Sequence, residues 1–171
     1  MATESFSWIK SGPINGKTMY FRADAASTPL WAPVIVAAAA SGYYLPEVAT
    51  TATEADQKVI GVACGPLLDS TNNYCNDAAG QSVRVCVWGI VKCKVDATDN
   101  IADGDMLISY AGAGYAMLAA VNEPSGDTYV TTEMATCLQH ICASFAMALE
   151  AATTDGDVIP VFVYGARGTR T

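Results

Sequence analysis

The amino-acid sequence predicts an all-β fold, a mostly antiparallel barrel or sandwich with at most one or two short helices. Two observations indicate this class. Residues 83–95 alternate strictly between an apolar series and a second series of side chains, which is the period of a strand with one buried face. From Pro29 onward, short strand-like runs are separated by Gly, Asn and Asp turn signals, a spacing typical of sandwiches and barrels.

The alternation in residues 83–95 also predicts which side chains face outward. The odd positions carry five valines, Gly89 and Cys93, and form the inward series. Cys86, Trp88 and Ile90 lie in the middle of the outward series and need cover from another element or another subunit. Because a strand of this length would span roughly 40 Å, Gly89 is expected to bend or bulge it.

The chain divides into an N-terminal segment, residues 1–27, and a β-domain, residues 28–171. Asn15-Gly16 could close a hairpin, since Asn-Gly is a strong signal for a two-residue turn. The segment could equally be an extended arm that docks on a neighbouring molecule, and the sequence leaves both open. Its apolar residues and the outward pair of the long strand are the candidate interface residues: Trp8, Ile9, Tyr20, Phe21, Trp88 and Ile90.

Within the β-domain, apolar runs predict the strands and one helix in chain order. The predicted strands are residues 33–36, 43–45, 59–63, 83–95, 106–110, 115–119, 128–131, 145–149 and 158–164. Residues 132–143 are the single helical candidate, because Met134, Leu138 and Ile141 recur at helical spacing.

The β-domain also contains an internal echo that suggests two halves. Residues 82–89 (SVRVCVWG) match residues 158–165 (VIPVFVYG) in register, and residues 60–63 (IGVA) resemble residues 145–148 (FAMA). Each half is therefore a strand, a loop and a strand that ends in an aromatic residue and glycine. A unit of this kind used twice suits a barrel that closes on itself.

Composition restricts the possible partners. The chain has 171 residues with a net charge of −8, and only 15% of them are charged although 51% are hydrophobic. Nine scattered basic residues argue against nucleic acid and against anionic membranes as partners. The most hydrophobic window, residues 30–40, is too short to span a bilayer, and no signal peptide is expected. A surface so poor in charge favours oligomerisation or docking on a larger surface.

Cysteine and histidine offer the only candidates for reactive chemistry. The six cysteines, at 64, 75, 86, 93, 137 and 142, are expected to be free thiols, mostly buried, as is usual in a reducing cytosol. Cys137, His140 and Cys142 could bind a metal or form a nucleophile pair. However, zinc usually takes four ligands in two pairs, so a structural role is favoured.

No motif predicts catalysis or a cofactor. Asp-Gly-Asp at 103–105 and at 155–157 lacks the spacing of a calcium loop and is interpreted as two turns. Nucleotide-binding, hydrolase and metalloprotease signatures are absent from the sequence. We therefore expect a protein that is not an enzyme and needs no cofactor or metal.

Several short motifs occur in a recognisable order. They are residues 58–63 (KVIGVA), the strand ending in residues 87–89 (VWG), residues 96–107 (DATDNIADGDML), residues 112–116 (GAGYA), residues 146–152 (AMALEAA) and residues 158–165. With these motifs, residues 45–165 resemble the small capsid decoration (cement) proteins of tailed bacteriophages. Residues 1–27, the cysteines and the loop between Cys64 and Gly80 depart from that pattern.

The resemblance implies a β-rich, non-catalytic protein that binds the outer surface of the capsid and stabilises it by linking capsomers. It implies the major capsid protein as partner, a homotrimer, and a place on the virion after assembly in the host cytoplasm. Two alternatives remain at this point. One is a ligand- or receptor-binding β-module of a phage fibre or tail, and the other is an enzyme that uses the Cys137–His140 region.

Overall fold

The computed structural model describes residues 15–24, 28–37, 46–51, 53–65, 74–76, 82–111, 114–119 and 131–165. These residues form eleven strands and one helix. The elements are β1 Asn15–Ala23, β2 Thr28–Pro29, β3 Pro33–Val36, β4 Glu47–Thr50, β5 Val59–Gly65, β6 Tyr74–Asn76, β7 Ser82–Lys94, β8 Met106–Ser109, β9 Ala116–Leu118, α1 Thr131–Ala143, β10 Ala146–Ala148 and β11 Val158–Val163. The fold is all-β, as predicted.

Strand β7 is the centre of the fold because it belongs to two rings of strands. In the first ring, β7 pairs with β5, β5 with β3, β3 with β4, and β4 with β1, which returns to pair with β7. Every pair in this ring is antiparallel except β1 with β4, which is parallel. Closure leaves this part of the sheet without an exposed edge.

The second ring uses the other half of β7. Strand β11 lies on the same side of β7 as β5 and pairs with residues 89–94. Strands β10, β8 and β9 follow β11 in that order. The ring closes through a bridge between Val95 and Ala116, where the Asp96 N–H donates to the Ala116 carbonyl at 2.7 Å. One long strand therefore supplies two strands' worth of sheet.

Each ring encloses its own apolar core. Phe21, Val34, Val48, Val83 and Val85 fill the first ring and are buried. The second cluster contains Val91 and Cys93 of β7 with Phe145, Leu107 and Val161, and it extends to residues of β5. Val87 packs against the first cluster. The odd positions of β7 thus face one core and then the other, which explains why the alternation persists over 13 residues.

Helix α1 packs against the outside of the second ring at β8. Ala143 forms a small buried cluster with Ala55, Ile108 and Ala119. The predicted apolar face of this helix points the other way, because Met134, Leu138 and Ile141 are exposed. The helix itself was predicted within one residue at its start.

Seven predicted strands correspond to β3, β5, β7, β8, β9, β10 and β11 within two residues at either end. The strand predicted at 128–131 is wrong at Thr131, which begins α1, and its other residues lie outside the described residues. The strand predicted at 43–45 also lies outside the described residues. Strand β4 was not predicted. In the two sequence units that resemble each other, the two strands of each unit are antiparallel neighbours. They are β5 with β7 in the first unit and β10 with β11 in the second.

Asn15 and Gly16 do not form the turn of the hairpin that the sequence left open as one alternative. Both residues lie in β1, opposite Ile90 and Gly89, so the pairing with β7 overrides the local turn preference. The irregularity expected near Gly89 is present: Gly89 has φ of +112°, and the register against β1 shifts between Lys17 and Thr18. Part of the N-terminal segment is therefore a strand of the first ring.

Candidate interaction surfaces

An apolar groove of about 820 Å³ opens on the first ring. Met19 of β1, Val36 of β3, Ile60 of β5 and Val87 of β7 line it, and Lys58 stands among the polar groups at its border. Met19 is 52% exposed and Val36 is 43% exposed, which is high for apolar side chains in strands. The groove is therefore a surface at which another molecule could bury apolar area.

A second apolar surface crosses the outside of the second ring. Phe162 of β11 lies opposite Ile90 of β7 on one side and opposite Met147 of β10 on the other, so the three side chains form one row. Trp88 extends the row along β7 and contacts Phe162 edge to face, with ring centroids 5.5 Å apart.

Leu149 extends the row at its far end, since its N–H donates to the Pro160 carbonyl at 3.0 Å and continues the ladder beyond β10. We call Trp88, Ile90, Phe162, Met147 and Leu149 the apolar stripe. Trp88 is 47% exposed and Leu149 is 39% exposed, while the other three are half-buried. The stripe is thus a continuous apolar surface with both ends open to solvent.

The predicted interface residues are placed differently by the structure. Trp8 and Ile9 lie outside the described residues. Tyr20 is 55% exposed, whereas Phe21 is only 5% exposed and belongs to the core of the first ring. Phe21 lies two residues before Ala23 on the inward face of β1, opposite Val83, and it also lines the groove.

The outward residues of β7 also differ from one another. Cys86 is fully buried by the chain itself, in the cluster that contains Val62 and Cys64. Ile90 is half-buried, and Trp88 remains the most exposed of the three. The chain's own second layer therefore covers one of these side chains and leaves Trp88 open.

Sequence reasoning missed Met19, Val36, Phe162 and Met147. Each belongs to or borders a run that could be recognised as strand-like, and alternation alone could have placed Phe162 and Met147 on an outward face. What brings them beside Ile90 is the pairing of β7 with β11 and of β11 with β10. Neither partner nor register can be read from a single strand.

Three buried thiols are poorly suited to act as nucleophiles. Burial raises the pKa of Cys64 to about 11, against the opposing charge of Arg84 beside it. Burial also raises the pKa of Cys86 to about 12, and the nearby Cys64 adds to the effect. The pKa of Cys93 is raised by burial alone. Because the thiolate is the reactive form, these thiols are inert near neutral pH.

The cysteines with described side chains are all free: Cys64, Cys86, Cys93, Cys137 and Cys142. His140 is buried, and its Nε2 lies 3.7 Å from Glu54 Oε1. Its Nδ1 has no hydrogen-bond partner within the described ranges. Among the described residues no group of three or more His, Cys, Asp or Glu side chains could hold a metal ion.

Both Asp-Gly-Asp sequences are turns, as predicted. Asp105 Oδ2 accepts the Ala102 N–H at 2.8 Å, and Asp157 Oδ2 accepts the Thr154 N–H at 3.2 Å. Asp155 Oδ1 accepts the Ala97 N–H at 3.0 Å and ties this turn to the segment after β7. The carboxylates therefore serve to fix backbone turns. In the described part of the chain, no helix has the length and apolar character needed to cross a membrane.

Comparison with known proteins identifies no family. No family model matches the sequence, and no curated protein matches it. Among solved structures, the fold is similar to that of the N base of head fiber protein gp8.5 in bacteriophage phi29, with a TM-score of 0.49 and 12% sequence identity. That match covers 90% of this chain and 98% of the phage chain.

Proposed function

We propose that this protein is a non-enzymatic structural component of a tailed-phage virion. In this proposal it is a decoration (cement) protein that binds the outer capsid surface and links neighbouring capsomers. The ordered motifs between residues 58 and 165 support the assignment through their resemblance to that family. The observation that carries it is the presence of two separate apolar surfaces, the groove and the apolar stripe, on one small charge-poor domain.

Two surfaces are what a linking protein requires, because it must hold the shell and also connect to a neighbour. We assign the groove to the capsid, since Met19 and Val36 expose apolar area around a concave site and Lys58 borders it. The partner is then a segment of the major capsid protein with apolar side chains. Trp8 and Ile9 of the N-terminal segment are expected to add contacts to the capsid. Tyr20 is exposed on the other face of β1 from Met19 and is a further candidate contact.

The protein acts as a homotrimer in this proposal, with three grooves that engage equivalent capsid sites. Contacts of modest strength then combine, because the second and third binding events are intramolecular. The net charge of −8 also suits the exterior of a shell, since it discourages association with nucleic acid and with other particles. The trimer would join the shell after capsid assembly in the host cytoplasm.

Co-sedimentation with purified capsids tests the assignment. Met19→Glu with Val36→Glu places charge inside the groove and is expected to lower the bound fraction at least tenfold. Met134→Glu with Leu138→Glu is the matched control, since it adds the same two charges at exposed apolar residues of α1. Binding that is equal in both variants would place the contact elsewhere, and wild-type protein that never co-sediments would contradict the function. Binding to host cells but not to capsids would favour the receptor-binding alternative.

Deletion of residues 1–14 tests the N-terminal segment. The truncation must stop before Asn15, because β1 closes the first ring by pairing with β4 and β7. We expect weaker attachment to capsids and an unchanged circular dichroism spectrum. Loss of the β spectrum in this variant would contradict the assigned role, since the segment would then be part of the folded domain.

A further inference from the structure

The apolar stripe lies between a basic edge and an acidic edge. Lys17 lies directly opposite Trp88 in the pairing of β1 with β7, so both side chains share the outward face. Lys92 lies on the same face of β7, four residues beyond Trp88. These two lysines form the basic edge. Within the described residues, neither has a carboxylate within ion-pair distance.

The acidic edge lies beyond β10, with Pro160 of β11 and Leu149 between it and Lys92. Glu150 follows Leu149 directly and is exposed. Asp103 is exposed on the adjacent turn, which is held there because the Gly104 N–H donates to the Ala148 carbonyl at 2.8 Å. Asp103 and Glu150 form the acidic edge. In the described part of the chain both carboxylates are also without an ion pair.

From this arrangement we infer that the apolar stripe is the contact between copies of this chain, with the basic edge of one copy against the acidic edge of the next. The basic edge has two positive charges and the acidic edge has two negative charges. Because every copy carries both edges, the basic edge of one copy can pair with the acidic edge of another. In a ring of three copies, the stripes face the shared axis and each basic edge meets a neighbouring acidic edge. The inference rests on the proposed function only for the number of copies.

The size of the surface indicates that the charged edges belong to the contact. A stable interface buries roughly 800 Å² on each partner. The stripe has five side chains, three of them already half-buried, and supplies only part of that area. The edges must supply the remainder. Apolar burial then provides most of the affinity, and the paired charges fix which edge meets which.

A charge-swap experiment on the full chain tests the inference. Mass is measured by sedimentation velocity over a concentration series, and folding is checked by circular dichroism. Lys17→Glu with Lys92→Glu should weaken self-association about tenfold or more, because like charges then face each other. Asp103→Lys with Glu150→Lys should weaken it similarly. The variant with all four substitutions should recover association, since its edges are complementary again.

The matched control is Asp99→Lys, which makes the same charge change as each acidic-edge substitution at an exposed residue away from the stripe. It should leave the mass unchanged. The inference is overturned if the wild-type protein is a monomer, if the double variants keep their mass, or if the fourfold variant folds but does not reassociate. A capsid assay of the same variants separates the proposed function from the proposed contact between copies. A double variant that is monomeric and still binds capsids, but more weakly than the wild type, supports both proposals.

A trimer that follows the charge-swap pattern but ignores capsids supports this inference and contradicts the proposed function. A wild-type monomer that binds capsids supports the capsid partner but contradicts both this inference and the homotrimer. Added salt gives a further readout, because screening should weaken the wild-type association. Association that is indifferent to ionic strength would count against paired edges.

Discussion

Gly16 lies directly opposite Gly89 in the pairing of β1 with β7, and neither residue has room for a Cβ atom. A Cβ at Gly89 would overlap the Asn15 carbonyl oxygen and the Gly16 Cα, and a Cβ at Gly16 would overlap the Trp88 carbonyl oxygen. At this point β7 leaves β5 and begins to pair with β11. The close approach of two glycines is therefore where one ring passes into the other.

Replacing Gly89 with alanine should lower the free energy of unfolding by about 2–4 kcal/mol, through both the positive φ of +112° and the backbone overlap. Gly104→Ala is the control, because its φ is +92° but no atom lies within 4 Å of a Cβ there. That variant should lose only about 1 kcal/mol. Urea denaturation measures both, and equal losses would show that the close approach contributes nothing.

The sequence predicted Gly89 as an irregular point but not its partner. Alternation over residues 83–95 is a property of one strand, and it was enough to place the valines inward and Trp88 outward. It contains no information on which strand lies alongside, so the sequence left open whether Gly16 belongs to a hairpin turn or to an extended arm. The same limit hid the apolar stripe, which exists only because Phe162 lies opposite both Ile90 and Met147.

Closure of the first ring depends on a parallel pair that local sequence could not predict. Arg22 of β1 lies opposite Glu47 of β4, and Arg22 Nη1 donates to Glu47 Oε1 at 2.7 Å. Glu47 stands in a run, residues 47–50, too short and mixed to be recognised as a strand. The ion pair becomes visible only when residues 25 apart in the chain are brought together.

Glu47→Gln should destabilise the protein by about 2–3 kcal/mol, because Glu47 is buried and its loss leaves Arg22 partly buried without its carboxylate. Arg22→Met and the double variant complete a thermodynamic cycle, measured by urea denaturation. We expect a coupling energy of about 1–3 kcal/mol. A coupling near zero would show that the pair does not stabilise the closed ring.

The free cysteines should differ sharply in reactivity. Alkylation of the native protein at neutral pH should modify Cys137 and Cys142, which are partly accessible, and spare Cys64, Cys86 and Cys93, which are buried. Peptide mass spectrometry assigns each modified residue, and alkylation in urea serves as the control in which all of them react. Native modification of Cys93 at the rate of Cys137 would contradict the burial described here.

Alkaline pH should weaken the fold through the same thiols. Burial raises the pKa of Cys64 to about 11 and that of Cys86 to about 12, from an ordinary value of 9.0, so the folded state favours the protonated thiols. Their contribution to stability is complete below about pH 9. Above it the unfolded chain loses these protons first, and stability falls as the pH rises towards 11 to 12.

Because lysines and tyrosines also titrate in this range, the informative quantity is the difference between wild type and Cys86→Ala. The variant should be less stable at pH 7, since it leaves a small cavity, but its free energy of unfolding should fall less steeply between pH 9 and pH 11 in urea titrations. Parallel curves for the two proteins would show that the thiol protons are not linked to folding.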